Sequence, residues 1–370
     1  MTDMAEKAIR LGGESTADAI VSAVDSLYPE HTFEDKEFAL KHNDDEISVD
    51  TNFAAQNFWK EALIRFFNKK SAVLGLILIV VIVLLAVFGP GMNSYTYSGQ
   101  DLSQKNFAPR VPGIERLGIL DGSEKMSTTT GSKSVNAYVE KGKDDVYYWF
   151  GSDLYGRDIW TRTWEGARVS LIIAVAAAVI DMVIGMSYGL ISGYFGGRVD
   201  MVMQRFLEVA NGIPRLVIVT LLLLVLQPGM VTIIFALMLT EWVGMSRIAR
   251  AEMLKLKDQE FVLASRTLGA GSFFIIFKEV LPNIIGPIIT QVMFSIPTAI
   301  FTEAFLSFVG LGIPVPQCSL GSLISELYNS FTTHPYQIIP PIVVMSLLML
   351  SFNLVADGLR EALDPKMKSM

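Results

Sequence analysis

The sequence predicts an all-α membrane protein with six transmembrane helices, both termini in the cytoplasm and a large external loop between the first two spans. Three observations carry that expectation. Apolar residues make up 51% of the 370 and charged residues only 18%, against about 25% charge in soluble domains. Several stretches with at most one charge are long enough to cross a ~30 Å hydrocarbon core as helices. Segments rich in Lys and Arg fall where short cytoplasmic loops are expected. The single cysteine, Cys318, excludes a disulfide framework within the chain.

The first 50 residues hold thirteen acidic and four basic side chains, leaving 24 acidic and 26 basic in the remainder. Residues 1–56 therefore read as an acidic cytoplasmic leader, a solvated tail of low hydrophobicity. No apolar run follows a basic start, so no cleavable signal is expected there. Residues 57–70 mix Phe58, Trp59, Leu63, Phe66 and Phe67 with five charged side chains, which suits an amphipathic helix on the inner leaflet. The first span is 71–89, uncharged throughout. The segment 90–168, rich in Gly, Ser, Thr, Lys and Asp, is expected to form an extracytoplasmic subdomain. A second span follows at about 170–193, with Asp181 as its one charge.

The region 216–240 is long enough for a single helix, but Gln227-Pro228-Gly229 interrupts it, and Pro followed by Gly is a strong turn signal. The loop beyond it carries Arg247, Arg250, Lys255, Lys257, Arg266 and Lys278 against four acids. Basic loops stay cytoplasmic. Only a hairpin turning at Pro228 puts this one on the same side as Arg65, Lys69 and Lys70. A third span of about 207–227 and a fourth of about 231–248 result, with Arg215 snorkelling at the inner end of the third. The loop 250–282, a fifth span at about 284–303, an external loop 304–335, a sixth span at about 336–356 and a cytoplasmic tail 357–370 complete the chain. Spans two to six make up a core of 169–366.

Catalysis by this chain alone is not expected. There is no GxxxxGK[ST] phosphate loop and no GxSxG elbow. The three histidines, His31, His42 and His334, show no metal-binding spacing. No basic patch with interleaved aromatics points to nucleic acid. Asp181 falls in mid-span, where an ionisable group costs about 2.5–3.5 kcal/mol on insertion scales. It reads equally as a contact on a translocation path or proton relay and as a carboxylate satisfied by a neighbouring helix. Glu241 and Glu303, at span ends, favour the second reading.

The loop 250–282 carries the most specific signal. Glu260-Phe261-Val262-Leu263-Ala264-Ser265-Arg266-Thr267-Leu268 reads as a short helix stopped by Gly269, a residue that takes a left-handed C-cap at low cost. A second helix leads to Leu281-Pro282. Helix, glycine break and helix form a knob on the inner face. This stretch resembles the coupling motif of ABC importer permeases, whose pattern is E-A-A, three residues, G, nine to eleven residues, then L-P. Ala264, Ser265, Gly269, Leu281 and Pro282 match, and Leu263 stands in place of the motif's Glu. Three more stretches resemble the oligopeptide, dipeptide and nickel branch of that family. They are Gly151-Ser152-Asp153-Leu154-Tyr155-Gly156-Arg157-Asp158, Glu303-Ala304-Phe305-Leu306-Ser307-Phe308-Val309-Gly310-Leu311-Gly312, and Asp357-Gly358-Leu359-Arg360-Glu361-Ala362-Leu363-Asp364-Pro365.

The resemblance implies a type I ABC importer permease fold and the role of second, C-type permease subunit in an oligopeptide transporter. Dipeptides, nickel or another small solute are the alternative cargo, and a proton-coupled secondary transporter is the alternative class. By resemblance, Glu260, Ala264, Ser265, Gly269, Leu281 and Pro282 couple the permease to ATPase subunits, and Asp181 is the candidate on the translocation path. Implied partners are a homologous permease subunit in a heterodimer, two ATP-binding subunits, an extracytoplasmic peptide-binding protein and membrane lipid. No cofactor is expected in this chain; ATP and Mg belong to the ATPase subunits. The small residues Ala174, Ala176, Ala177, Ala178, Gly185, Gly189, Ser192 and Gly193 would let span two approach its neighbours closely along the central path.

Overall fold

A computed structural model describes residues 58–128 and 131–363. The acidic leader and the end of the carboxyl tail lie outside the described residues. Helix α1 (Phe58–Asn68) leads into α2 (Lys70–Phe88). A loop segment with one antiparallel hairpin, β1 (Ser123–Thr128) and β2 (Gly131–Asn136), follows in the register Ser123 to Asn136. Then come α3 (Ile159–Phe195), α4 (Gly197–Gly212), α5 (Arg215–Val225), α6 (Met230–Leu256) and α7 (Glu260–Thr267). The chain closes with α8 (Ser272–Leu311), α9 (Leu320–Tyr328) and α10 (Ile339–Leu363). Five of these are long and apolar enough to cross a membrane, or six if the bent pair α4–α5 counts as one span.

That pair departs from the third span drawn from the sequence at 207–227. Residues 207–212 belong to α4, and α5 leaves it at 77°. The cause is local. Pro214 disfavours helical backbone at the residue before it, and Ile213 is extended at φ −84°, ψ 123°. A second break separates Val225 from Met230 around Pro228-Gly229.

Helix α3 is the axis of the core. Its Ile173, Ala174, Ala177 and Ala178 are buried in one cluster with Ile82 and Ala86 of α2 and Ile233 and Leu237 of α6. Ile296, Ala299 and Ile300 of α8 and Val344, Leu348 and Phe352 of α10 complete it. Lower on α3, Gly185, Gly189 and Gly193 recur every fourth residue, which aligns them on one helix face. A Cβ at Gly189 would lie 2.1 Å from the Ser246 carbonyl oxygen, and one at Gly185 would lie 2.5 Å from that of Trp242. At Gly193 the Met253 Cβ is 2.9 Å away. Backbones of α3 and α6 therefore touch over three turns, a contact open only to small residues. The small face of span two is thus spent inside the chain, against α6. Asp200 of α4 braces the same region, accepting Nε and Nη2 of Arg250 at 2.6 Å each.

Helix α1 packs Phe66 against Ala72 of α2 and Val355 and Ala362 of α10, leaving Trp59, Leu63, Ile64 and Phe67 exposed. Lys69 and Glu361 pair between the start of α2 and the end of α10. Between α2 and α3, Phe107, Tyr138 and Tyr148 form a small buried core, with Tyr95 stacked on Tyr148 at 4.5 Å between centroids.

The seam makes a sharp prediction. Gly189→Leu drives a side chain into the α6 backbone, where overpacking costs at least about 1–3 kcal/mol. The expected outcome is loss of the monodisperse peak when the detergent extract is run on size exclusion. Gly244→Ala, at a position with nothing within 4 Å of the added Cβ, keeps that peak.

Candidate functional site

Two of the stretches singled out in the sequence become rigid structures, at α7 and before α3. Helix α7 ends in a Schellman motif. The Gly269 amide donates to the Arg266 carbonyl and the Ala270 amide to the Ser265 carbonyl, both at 3.0 Å. Gly269 sits at φ +83°, the left-handed conformation that glycine takes without a Cβ penalty. Val262 anchors the helix, fully buried with Met253 of α6 and Ile275, Ile276, Val280 and Ile284 of α8. Arg266 lies over the Tyr194 ring of α3 at 4.9 Å.

The other side of α7 is open. Glu260 and Ala264 are exposed, Ser265 is half-buried and Gly269 faces open space. Leu281 packs against the cluster beneath, and Pro282 is exposed at the start of the next turn. Sequence reasoning missed the residues that dominate this surface. Leu268 is 88% and Phe273 67% exposed, flanked by Phe261, Leu263 and Phe274. Apolar residues on both sides of a glycine break were the available signal.

Asp181 does not share that surface. It lies within α3, in a π-turn over Asp181–Gly185, and is only 2% exposed. The Ser295 hydroxyl of α8 donates to its Oδ2. Glu303 is fully buried, accepting hydroxyls from Ser319 at 2.5 Å, Ser307 at 2.7 Å and Ser170 at 3.2 Å. Glu241 instead accepts Nη1 of Arg215 at 2.6 Å, so Arg215 bridges two helices rather than standing alone.

The residues preceding α3 hold a buried charge network. Asp153 Oδ2 accepts Arg157 Nε at 2.7 Å and Arg162 Nη1 at 2.8 Å. Arg162 Nη2 reaches Glu326 of α9 at 2.7 Å, and Arg157 pairs with the same carboxylate. Asp158 caps α3 by accepting the Thr161 amide at 2.8 Å. Gly156, at φ +71°, lets the Asp101 carbonyl approach to 1.8 Å from where a Cβ would be. Asp153, Arg157, Arg162 and Glu326 so placed tie the start of α3 to α9. Burial pushes the Glu326 carboxyl up, but Arg162 and Arg157 outweigh it and hold the group below its ordinary value.

Residues 185–369 match the model of the binding-protein-dependent transport system inner membrane component. Residues 57–109 match the N-terminal TM domain of oligopeptide transport permease C. The chain is 42% identical over 312 residues, 84% of its length and 91% of the relative's, to the oligopeptide transport system permease protein OppC of Bacillus subtilis. It belongs to the binding-protein-dependent permeases. It is also 39% identical to the dipeptide transport system permease protein DppC of Bacillus subtilis, over 84% of this chain and 87% of that one. With OppC of Escherichia coli the identity is 33%, over 84% and 92% of the two chains. Among solved structures, the MetNI methionine ABC transporter in an inward-facing conformation aligns at 16% identity with a TM-score of 0.45, covering 54% of this chain and 94% of that one. With its apolar helices and this family, the permease is a multi-pass inner-membrane protein.

The charge network can be tested by pH and by substitution. Glu326→Ala leaves two buried guanidiniums sharing one carboxylate, and breaking a buried pair costs about 3–5 kcal/mol. A large fall in the thermal midpoint of the detergent-solubilised permease is expected. Because folding lowers the Glu326 pKa, its contribution is complete above about pH 4.5 and is lost as the pH falls through the folded value. Wild type should lose thermal stability on acidification below that point, and Glu326→Gln should lose less.

Proposed function

We propose that this permease is the C-type transmembrane subunit of an ATP-driven importer for oligopeptides. It forms half of the translocation path and couples it to cytoplasmic ATPase subunits. One observation carries the coupling role. The α7 knob presents exposed apolar side chains on a helix whose underside is locked to α6 and α8 through Val262. A partner that grips α7 therefore moves the bundle with it.

In this reading, Glu260, Ala264, Ser265, Gly269, Leu281 and Pro282 form or support the docking knob, and Asp181 stands near the path. A homologous permease subunit completes the path as a heterodimer. Two ATP-binding subunits supply ATP and Mg from the cytoplasmic side, where both termini lie, and an extracytoplasmic binding protein delivers peptide. The fold is that of a type I importer permease, with 90–168 facing outward. ATP-driven closure of the ATPase pair draws the knobs together and switches the path from inward- to outward-facing, a two-state rigid-body transition. The 39% identity to a dipeptide permease favours dipeptides as the second reading. Membership of the binding-protein-dependent family leaves the proton-coupled alternative without support.

A mild-detergent pull-down through a carboxyl-terminal tag should recover a second permease, proteins with Walker A loops and a peptide-binding protein. Recovery of the chain alone, with uptake surviving ATP depletion, would sink the reading. Gly269→Asp and Ala264→Trp are expected to abolish ATP-driven peptide uptake while membrane insertion stays at the wild-type level. Ala264 is exposed on an ordinary helical turn, so Ala264→Trp isolates docking from folding, whereas Gly269→Asp also strains the left-handed cap at φ +83°.

A further inference from the structure

Helix α8 carries a polar row that neither the core nor the coupling knob uses. Gln291, Ser295, Thr298 and Thr302 fall within about 60° of one another at ~100° per residue. They border the buried side of the helix, with Thr298 exposed and the other three half-buried. The row meets two charged groups. Ser295 donates to Asp181, and Thr302 lies beside Glu241, the partner of Arg215. Hydroxyls on a lipid-facing helix are tolerated because they bond back to their own carbonyls, and Thr298 and Thr302 do so at 3.0 and 2.8 Å. Ser295 also bonds back, to the Gln291 carbonyl at 3.1 Å, but the Gln291 side chain has no such partner. The Gln291 amide has no hydrogen bond among the described residues, and Arg215, 49% exposed in its side chain, commits one N–H to Glu241. Polar and ionisable groups within a span face a water-filled cavity or a protein neighbour rather than lipid.

We infer that this row, with the Arg215–Glu241 pair, is the surface over which the substrate's peptide backbone passes; the inference rests on the peptide-importer reading. The chemistry fits a backbone rather than particular side chains. Arg215 offers spare donors to a peptide carbonyl or terminal carboxylate. The Gln291 amide both donates and accepts. The hydroxyl oxygens of Thr298 and Thr302, their protons already used, accept from peptide N–H. The pairing with Glu241 keeps Arg215 from presenting a net positive charge that would hold acidic peptides fast. From Gln291 to Thr302 the row is about 16 Å long, the length of about five residues of extended chain.

The test uses the complete importer, with its binding protein, reconstituted in proteoliposomes. Cys318, this chain's one cysteine, is buried, and the partner subunits are used in cysteine-free form. Thr298→Cys and Gln291→Cys should react with a membrane-impermeant methanethiosulfonate, at least tenfold faster than Leu84→Cys on the exposed side of α2. Saturating pentaalanine during ATP turnover should slow that labelling at least fivefold. Arg215→Gln should lower the rate of pentaalanine uptake at least tenfold. Labelling no faster than at Leu84, labelling unaffected by pentaalanine in a complex that imports it, or normal uptake by Arg215→Gln would each overturn the assignment. A wild-type complex that imports no pentaalanine, yet labels at Thr298, would instead overturn the peptide reading on which the assignment rests.

Discussion

The packing of this permease depends first on the contact between the backbones of α3 and α6. Gly185, Gly189 and Gly193 bring the two helices so close that no side chain fits between them at three successive turns. In lipid, apolar side chains gain nothing by leaving their surroundings for one another, so close backbone packing is what holds helices together. Helix α6 continues past the seam to Leu256 and leads directly into α7. Leu190 of α3, Met245, Ala249 and Met253 of α6, Val262 of α7 and Ile275 of α8 share one buried cluster. The knob is therefore joined to the central helix of the bundle, with no slack segment between them.

The other end of α3 is held by polar groups instead. Asp153, Arg157, Arg162 and Glu326 pair with one another in a buried setting, and Glu303 accepts three serine hydroxyls. Buried ion pairs contribute little net stability over apolar packing, but losing one partner is costly. Their effect is to fix where α9 sits against α3. One rigid helix is so fastened by close backbone packing at one end and by paired charges at the other. The polar row on α8 runs between these two anchor points, close to Asp181 and Glu241.

Much of this was legible in the sequence. The apolar runs marked every long helix, because the bilayer requires about 20 apolar residues of any spanning helix. Gly269 announced its own role, since a left-handed C-cap is a local property of one residue and its neighbours. Asp181 was visible as a mid-span charge, but its partner Ser295 stands 114 residues away, and no local pattern connects them. The pairing of Arg215 with Glu241 was hidden for the same reason. The bend at Ile213-Pro214 was passed over because uncharged length was counted where the proline's effect on the preceding residue decided.

Composition and periodicity by themselves determined that the chain lives in a membrane, where five of its long apolar helices run and where a capped knob interrupts them, but not that the third span is a bent pair. These are consequences of local chemistry: hydrophobic length, charge placement and the conformational freedom of single glycines. The tertiary structure alone decided which face of α3 is spent on α6, that Glu326 closes the charge network of the residues before α3, and which polar residues of α8 remain unclaimed. Each of those depends on groups far apart in the chain meeting at hydrogen-bonding or van der Waals distance. A sequence lists such groups; only the packed bundle brings them together.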